Sequence, residues 1–590
     1  MALKTYMQSK HPQAAFKWFI LLFILEGLAA LFYYFKIPSE KAGVFLLGLS
    51  RSRLAIAVLL GLVIVLAILL LMSVHLHAEQ AEWILRRFDG FLTTGSSHLA
   101  VILTAAIVLL IFGLELFFLT YILFPPFLRP LFLWAALTCL QVWLFLRFRY
   151  NKSLSLAPSL NQSIQTKWHS FSTMQRRVFF VASILGLIYF CAFIPANALY
   201  WHAPVSSFYS GIDEVVQYPS VIRALSAGDT FSSTIYHVLV DESSIYGHPY
   251  ITLSALVLVP SRIIFGAAFG DHVQLNLLLL RQFMNVLPIA LSMFLLVYMA
   301  TRFRSMWTSI PLYVLLLTIP GVIKYNIRFL HPDALVLFLV VLTIFFLQRD
   351  EYRFKGNFYL AAVTCALAAV IKLWGLFFFL AIVIYLFTGL GKKRLTAKTM
   401  LLAGLGFILV MGATILIADP GILVPSATQT LVSGLQKEVN ARTTGYSDSA
   451  GATIYQKGLN AWLPYFKDYY LRLYFFFFCF ACLLACSWLG DQKLLARMLL
   501  GWCLVTAVYL VYFVAAKSYW YMMPLMVPLY ISPFLLPSLG REQKGTAISV
   551  VLARPAAAKL IWGVVILACG IQFAANLVLI ANSPVILNYL

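Results

Sequence analysis

The chain has 590 residues, 62% hydrophobic and only 11% charged, with a mean hydropathy of +0.90. Soluble globular proteins carry about twice that charged share, and the recurrent apolar runs are continuous rather than alternating, so a soluble fold and a membrane β-barrel are both excluded. The formal net charge of +22 is topological rather than a sign of nucleic-acid binding: basic residues gather in short loops, where they favour the cytoplasmic side and attract anionic lipid headgroups.

The first residues, MALKTYMQSKHPQAAFKWF, are basic and lead into a retained helix rather than a cleavable signal peptide. Four spans near 17–36, 53–76, 98–123 and 128–147 form an amino-terminal module over 1–148, to which the sequence gives no role. A polar stretch follows, RFRYNKSLSLAPSLNQSIQTKWHSFSTMQRR, with six basic and no acidic residues over 147–177. It is the strongest cytoplasmic signal in the chain, and 149–177 reads as a linker. From there a transmembrane core covers 178–540, with external loops 201–272 and 419–470, and a last helix lies in 541–590. The loop 201–272 carries six acidic and two basic residues. The alternation predicts about fifteen spans, amino end inside and carboxyl end outside. One loop fits poorly: Lys36, Lys41, Arg51 and Arg53 would face outward. The segment HPYITLSALVLVPSRIIFG (248–266), with Pro260 and Arg262, reads as a juxtamembrane helix on the outer surface, because a crossing there would invert every later loop. The eight cysteines all lie in apolar segments. Cys479, Cys482 and Cys486 share a helix face without His or carboxylate, so they read as small buried side chains rather than a metal site.

Charged groups in or beside membrane helices cost about 2.5–3.5 kcal/mol each and call for a reason. On this topology they collect at the outer boundary: Asp213 and Glu214 after the fifth span, His248, Arg281, then Lys324, Arg328, His331 and Asp333 around one turn. Lys372 lies between two short apolar stretches, and Lys517, Tyr519 and Tyr521 begin a late span. Each has a plainer reading. Arg281 and Lys372 can snorkel, His331 and Asp333 can cap the helix that starts near Pro332, the tyrosines can form an interfacial belt, and the acidic pair can be loop charge. Their common depth favours one shared site. Carboxylates beside several cations suit a displacement in which a general base takes a proton from a hydroxyl or amine while cations balance a departing phosphate. No phosphate-cradling glycine loop or dinucleotide fingerprint is present, so the phosphate is expected on a lipid rather than on a soluble nucleotide.

From the fifth span onward the chain resembles the GT-C superfamily of integral-membrane glycosyltransferases, in particular the protein O-mannosyltransferases and aminoarabinose transferases that use polyprenyl-phosphate sugars. The likeness rests on an acidic pair followed by a helix ending in Gly-Asp (GIDEVVQYPSVIRALSAGD), a His-Pro juxtamembrane helix (YGHPYITLSALVLVPSRIIFG) and an Arg-Phe element (LLRQFMNVLP). An Arg and Pro-Asp turn (IRFLHPDALVLFLVVL), a Lys-bearing hairpin (AAVIKLWGLFFF) and an aromatic-then-Pro segment (SYWYMMPLMVPLY) complete it. It spans about 178–540 and departs at Pro249-Tyr250, where a second proline is usual, and at Pro219, which interrupts the usual helix.

The resemblance implies an inverting transferase of the plasma (inner) membrane, acting in cell-envelope glycan synthesis on the extracytoplasmic face. Its donor would be a polyprenyl-phosphate sugar and its acceptor a lipid, glycan or protein. It implies Asp213 as the base, with Glu214 as the alternative; Lys372, Arg281, Arg328 and Lys324 as donor-phosphate contacts; and His248, His331, Asp333, Tyr519 and Tyr521 in the substrate pocket. Neither a metal nor a separate cofactor is expected. A lipid-linked-sugar flippase or secondary transporter is the alternative, which would place its ionisable residues nearer mid-bilayer.

Overall fold

A computed structural model describes residues 12–37, 49–77, 96–150, 170–198, 212–240, 246–327, 330–444, 457–470, 472–490, 492–515, 518–538 and 555–583, with isolated positions between 79 and 87. The described elements are helical. Among the described residues, eleven helices are long and apolar enough to cross a membrane, or up to 13 when each bent pair is taken as one span. The expected fifteen differ for identifiable reasons. Segment 333–350 carries too many charges to qualify, and the hairpin broken at Lys372 consists of the shorter helices Gly356–Ile371 and Gly375–Gly391. Conversely, His248–Asp271 is itself long and apolar enough to cross a membrane.

The chain divides into two compact units. The first contains α1 (Pro12–Lys36), α2 (Arg51–Leu76), α3 (Ser96–Leu119) and α4 (Arg129–Tyr150), with α1 packed on α2 and α4, and α3 on α4. Arg53, which fits poorly as a loop charge, is buried. Its guanidinium donates to the carbonyls of Tyr34 (2.9 Å) and Ile37 (3.0 Å), closing the end of α1. That bond gives the residue a local reason to be there, independent of the side of the membrane. Most of the expected linker, 151–169, lies outside the described residues.

The second unit holds the large core. Its helices are α5 (Thr173–Ala192), α6 (Ile212–Leu225), α7 (His248–Phe265) and α8 (Val273–Arg281), which passes through a π turn at Gln282–Val286 into α9 (Leu287–Thr301). Then come α10 (Met306–Leu317) and α11 (Pro320–Asn326), bent by 58°. They are followed by α12 (Asp333–Asp350), α13 (Gly356–Ile371), α14 (Phe378–Gly391), α15 (Ala397–Ala418), α16 (Pro425–Thr444) and α17 (Leu459–Tyr469). The unit ends with α18 (Leu473–Leu489), α19 (Lys493–Phe513), α20 (Met523–Leu529) and α21 (Pro555–Ala581). Cys479, Cys482 and Cys486 are buried on α18 and unbridged.

Two ends of this bundle can be told apart. Gln175 donates to the carbonyl of Arg302 (2.9 Å), Gln492 to that of Ala300 (2.9 Å), and Gln348 to Gln492 (3.4 Å), so the ends of α9 and α12 and the start of α19 meet on one side. The starts of α8 and α12 and the turn at Lys372 therefore share the other end, called the rim below. The helix α7 engages the rim at both its ends. The Gly247 amide donates to Ile371 (3.3 Å), and Ser261 donates to Asn276 on α8 (2.7 Å). A helix lying across the bundle makes such contacts. Gly247 is required for this approach, since an added Cβ would lie 2.0 Å from the carbonyl oxygen of Val370.

Candidate active site

The acidic pair lies inside α6, in its first turn, rather than in a loop. Glu214, Gln217, Tyr218 and Val221 are buried while Val215, Val216 and Pro219 are exposed, the spacing of an amphipathic helix. Pro219 does not interrupt the helix, contrary to the sequence expectation. Val215, whose carbonyl loses its usual partner, and Pro219 share the exposed face, where the unmet group is not trapped in the core. Buried Glu214 takes both prongs of the Arg281 guanidinium, Nε to Oε1 at 2.9 Å and Nη2 to Oε2 at 2.7 Å, and Arg281 also donates to the carbonyl of Asn197 at 3.3 Å. A bidentate, fully desolvated pair of this kind fixes both side chains; removing one partner typically destabilises by about 3–5 kcal/mol. Glu214 is thus committed to Arg281. Of Asp213 the structure describes the backbone position in α6, while its side chain lies outside the described residues, as does Arg328.

A second ion pair forms where α13 stops. Lys372 takes an extended conformation (φ −152°, ψ 118°) before the tight 3₁₀ turn Leu373–Phe377, so its side chain leaves the tip of the hairpin. Its Nζ donates to Oδ1 and Oδ2 of Asp333, both at 2.8 Å, with both residues buried. Asp333 is the first residue of α12, an acid in the first turn where the helix dipole favours negative charge, and its printed hydrogen bonds run to Lys372. His331 Nδ1 lies 2.6 Å from Oδ2 of Asp333, and the Nε2 of the same ring is 2.7 Å from the hydroxyl of Tyr246. The result is a buried chain, Tyr246–His331–Asp333–Lys372, contributed by the segments before α7, before α12 and after α13. Tyr325 braces it by donating to the His331 carbonyl at 2.6 Å, and the ring of Tyr521 lies 4.9 Å from Lys372 Nζ.

His248 opens α7 beside this chain, its Nε2 2.9 Å from the Thr252 hydroxyl. With Tyr246, Asp419 and Thr428 it lines a cavity of about 20 Å³, room for about one water molecule. The start of the segment 419–470 thus borders the chain. A further group surrounds Lys324 in the last turn of α11. Its Nζ donates to the Tyr469 hydroxyl at 2.9 Å and lies 4.5 Å and 4.9 Å from the ring centroids of Tyr469 and Tyr519. Those two rings stack 4.8 Å apart at 17°. Trp520 connects the groups, with ring centroids 5.0 Å from Tyr519 and 5.8 Å from His331.

The structure thus joins His331, Asp333, Lys372 and Tyr521 directly, sets Lys324 and Tyr519 beside them through Trp520, and pairs Glu214 with Arg281 on elements that pack against α7. Tyr246, Tyr325, Tyr469 and Trp520 are the participants that sequence reasoning missed. Only the order of aromatic residues around the two Lys-bearing turns hinted at them. No protein-family model and no curated protein matches this chain.

Proposed function

We propose that the protein is a membrane glycosyltransferase that moves a sugar from a polyprenyl-phosphate carrier to an acceptor hydroxyl or amine on the extracytoplasmic face of the plasma (inner) membrane. The observation that supports this reading best is the buried Tyr246–His331–Asp333–Lys372 chain at the rim, with the Glu214–Arg281 pair and Lys324 on neighbouring elements. In the reaction the acceptor oxygen or nitrogen attacks the anomeric carbon and the bond to the phosphate oxygen breaks in the same displacement, inverting that centre. Asp213 takes the acceptor proton, and the phosphate departs with the electron pair of the broken bond. Ion pairs fixed beforehand hold the groups around this event without reorganising, which is where electrostatic catalysis gains most.

The test is release of polyprenyl phosphate by the purified protein from a panel of polyprenyl-phosphate sugars and acceptors. Wild type is expected to release it. Asp213→Asn is expected to slow release by about 10²-fold or more while donor binding persists. Movement of intact donor across a vesicle membrane without cleavage would instead establish a flippase.

A further inference from the structure

We infer that the slot between α10 and α21 is a phospholipid site, which takes one acyl chain of an anionic phospholipid from the leaflet opposite the rim. The inference is independent of the transferase reading. α10 turns Trp307, Ile310 and Val314 to the slot, and α21 turns Trp562, Ile566 and Phe573 to it, both at helical spacing. Such stripes on neighbouring helices ordinarily interdigitate. Here they enclose about 700 Å³ instead, the size of a ligand site. Among the described lining residues the one hydroxyl, on Thr308, already donates to the carbonyl of Ser305 (3.2 Å), so the interior selects an apolar chain.

Position and length identify that chain. α10 follows the end of α9, on the side away from the rim, and leads through α11 towards the rim. α21 runs the same way, because Gln572 in its later half accepts from the amide of Arg472 (3.2 Å), close to the rim end of α17. Trp307 and Trp562 therefore stand at the end away from the rim, where indoles sit at headgroup depth. From Trp307 to Leu315 α10 rises about 12 Å, and from Trp562 to Phe573 α21 rises about 16 Å. Each matches half of a hydrocarbon core of about 30 Å, the depth of one leaflet. An acyl chain has that reach, whereas a polyprenyl tail overruns it. The mouth sets the headgroup. Arg304 and Lys559 each lie three residues before the tryptophan of their segment, and both are exposed. Among the described residues neither belongs to an ion pair. Ser305 makes no side-chain bond to the first turn of α10, which leaves those amides to the same anion. Two cations and a helix start beside an apolar slot favour a net-negative headgroup over a zwitterionic one.

A phosphatidylglycerol with a photoreactive diazirine midway along one acyl chain tests this on the full chain in detergent micelles. Adducts are expected within 307–315 and 562–573. Unlabelled dioleoyl phosphatidylglycerol should displace the probe about tenfold more readily than dioleoyl phosphatidylcholine, the scale of cations near a headgroup phosphate. Gly570 lines the slot, and an added Cβ there meets nothing within 4 Å, so Gly570→Leu fills the space without a clash at its base. It should cut labelling severalfold at an unchanged unfolding temperature. Arg304→Gln combined with Lys559→Gln should erase the preference for phosphatidylglycerol and leave competition by phosphatidylcholine in place. Lys393→Gln removes an exposed charge from the same end and should change nothing. Full labelling in Gly570→Leu, or an equal loss of preference in Lys393→Gln, overturns the inference. Displacement by undecaprenyl phosphate at concentrations as low as those of phosphatidylglycerol overturns it too, and gives the slot to a polyprenyl tail. Cross-linking of two copies through the slot gives it to a second protomer, and an unlabelled slot in wild type is one that the protein itself fills; either result also overturns the inference. Sugar transfer enters none of these readouts, so this site and the transferase reading fail separately.

Discussion

The two ends of the second unit use buried carboxylates in opposite ways. Away from the rim, Asp350 accepts from the backbone amides of Phe354 (2.8 Å) and Lys355 (3.0 Å) and from the Tyr385 hydroxyl (2.8 Å). Those bonds hold a turn in which Glu351, Tyr352 and Phe354 adopt positive φ, so this carboxylate stabilises a strained backbone. At the rim, Asp333 and Glu214 make their described bonds to side chains: to Lys372 and Arg281, 39 and 67 residues away, and to His331 in the same turn as Asp333. The first arrangement serves folding: it closes the backbone turn that follows α12 and ties that turn to Tyr385 on α14. The second orders several elements around one place and carries no comparable local benefit, which is why the rim, rather than the equally buried Asp350, is the candidate for chemistry.

This contrast can be broken by substitution. Lys372→Met leaves Asp333 buried without its cation and should lose about 3–5 kcal/mol of stability, measured as a fall in the unfolding temperature in detergent. Adding Asp333→Asn to it should recover part of the stability and none of the transfer; recovery of transfer would make the pair merely structural. Asp350→Asn should cost about 1–3 kcal/mol by weakening its backbone bonds, yet leave transfer per folded molecule unchanged. The smallest effect belongs to Tyr246→Phe, which removes the hydroxyl bonded to His331. About 1 kcal/mol of stability should go, with a larger proportional fall in transfer, and equal falls in both would reduce the tyrosine to packing.

What the sequence reveals follows the physics of each feature. Long continuous apolar runs specify membrane helices, so the class and most of the spans are legible. The hairpin at Lys372 blurs the count because its helices are short on each side of the break. Gly211 and Pro219 flank the acidic pair with breaker residues and suggest a loop, although the spacing of Glu214, Gln217, Tyr218 and Val221 already marks a helix face. Whether Asp333 caps α12 or binds a lysine depends on Lys372, 39 residues away, and no local pattern encodes that choice. The same holds for the lysines: 324 and 372 look equivalent in sequence, and only tertiary contacts show which one faces a carboxylate and which one faces tyrosines. Tyr246 and Tyr469 were hidden among 30 tyrosines, since aromatic composition does not rank its members.

The most direct test of a single phosphate-handling site at the rim is a density map of the full chain with a bound polyprenyl phosphate. The account predicts phosphate density at the rim, beside the Tyr246–His331–Asp333–Lys372 chain. Phosphate density at the opposite end, among Arg302, Lys355 and Lys393, would contradict it.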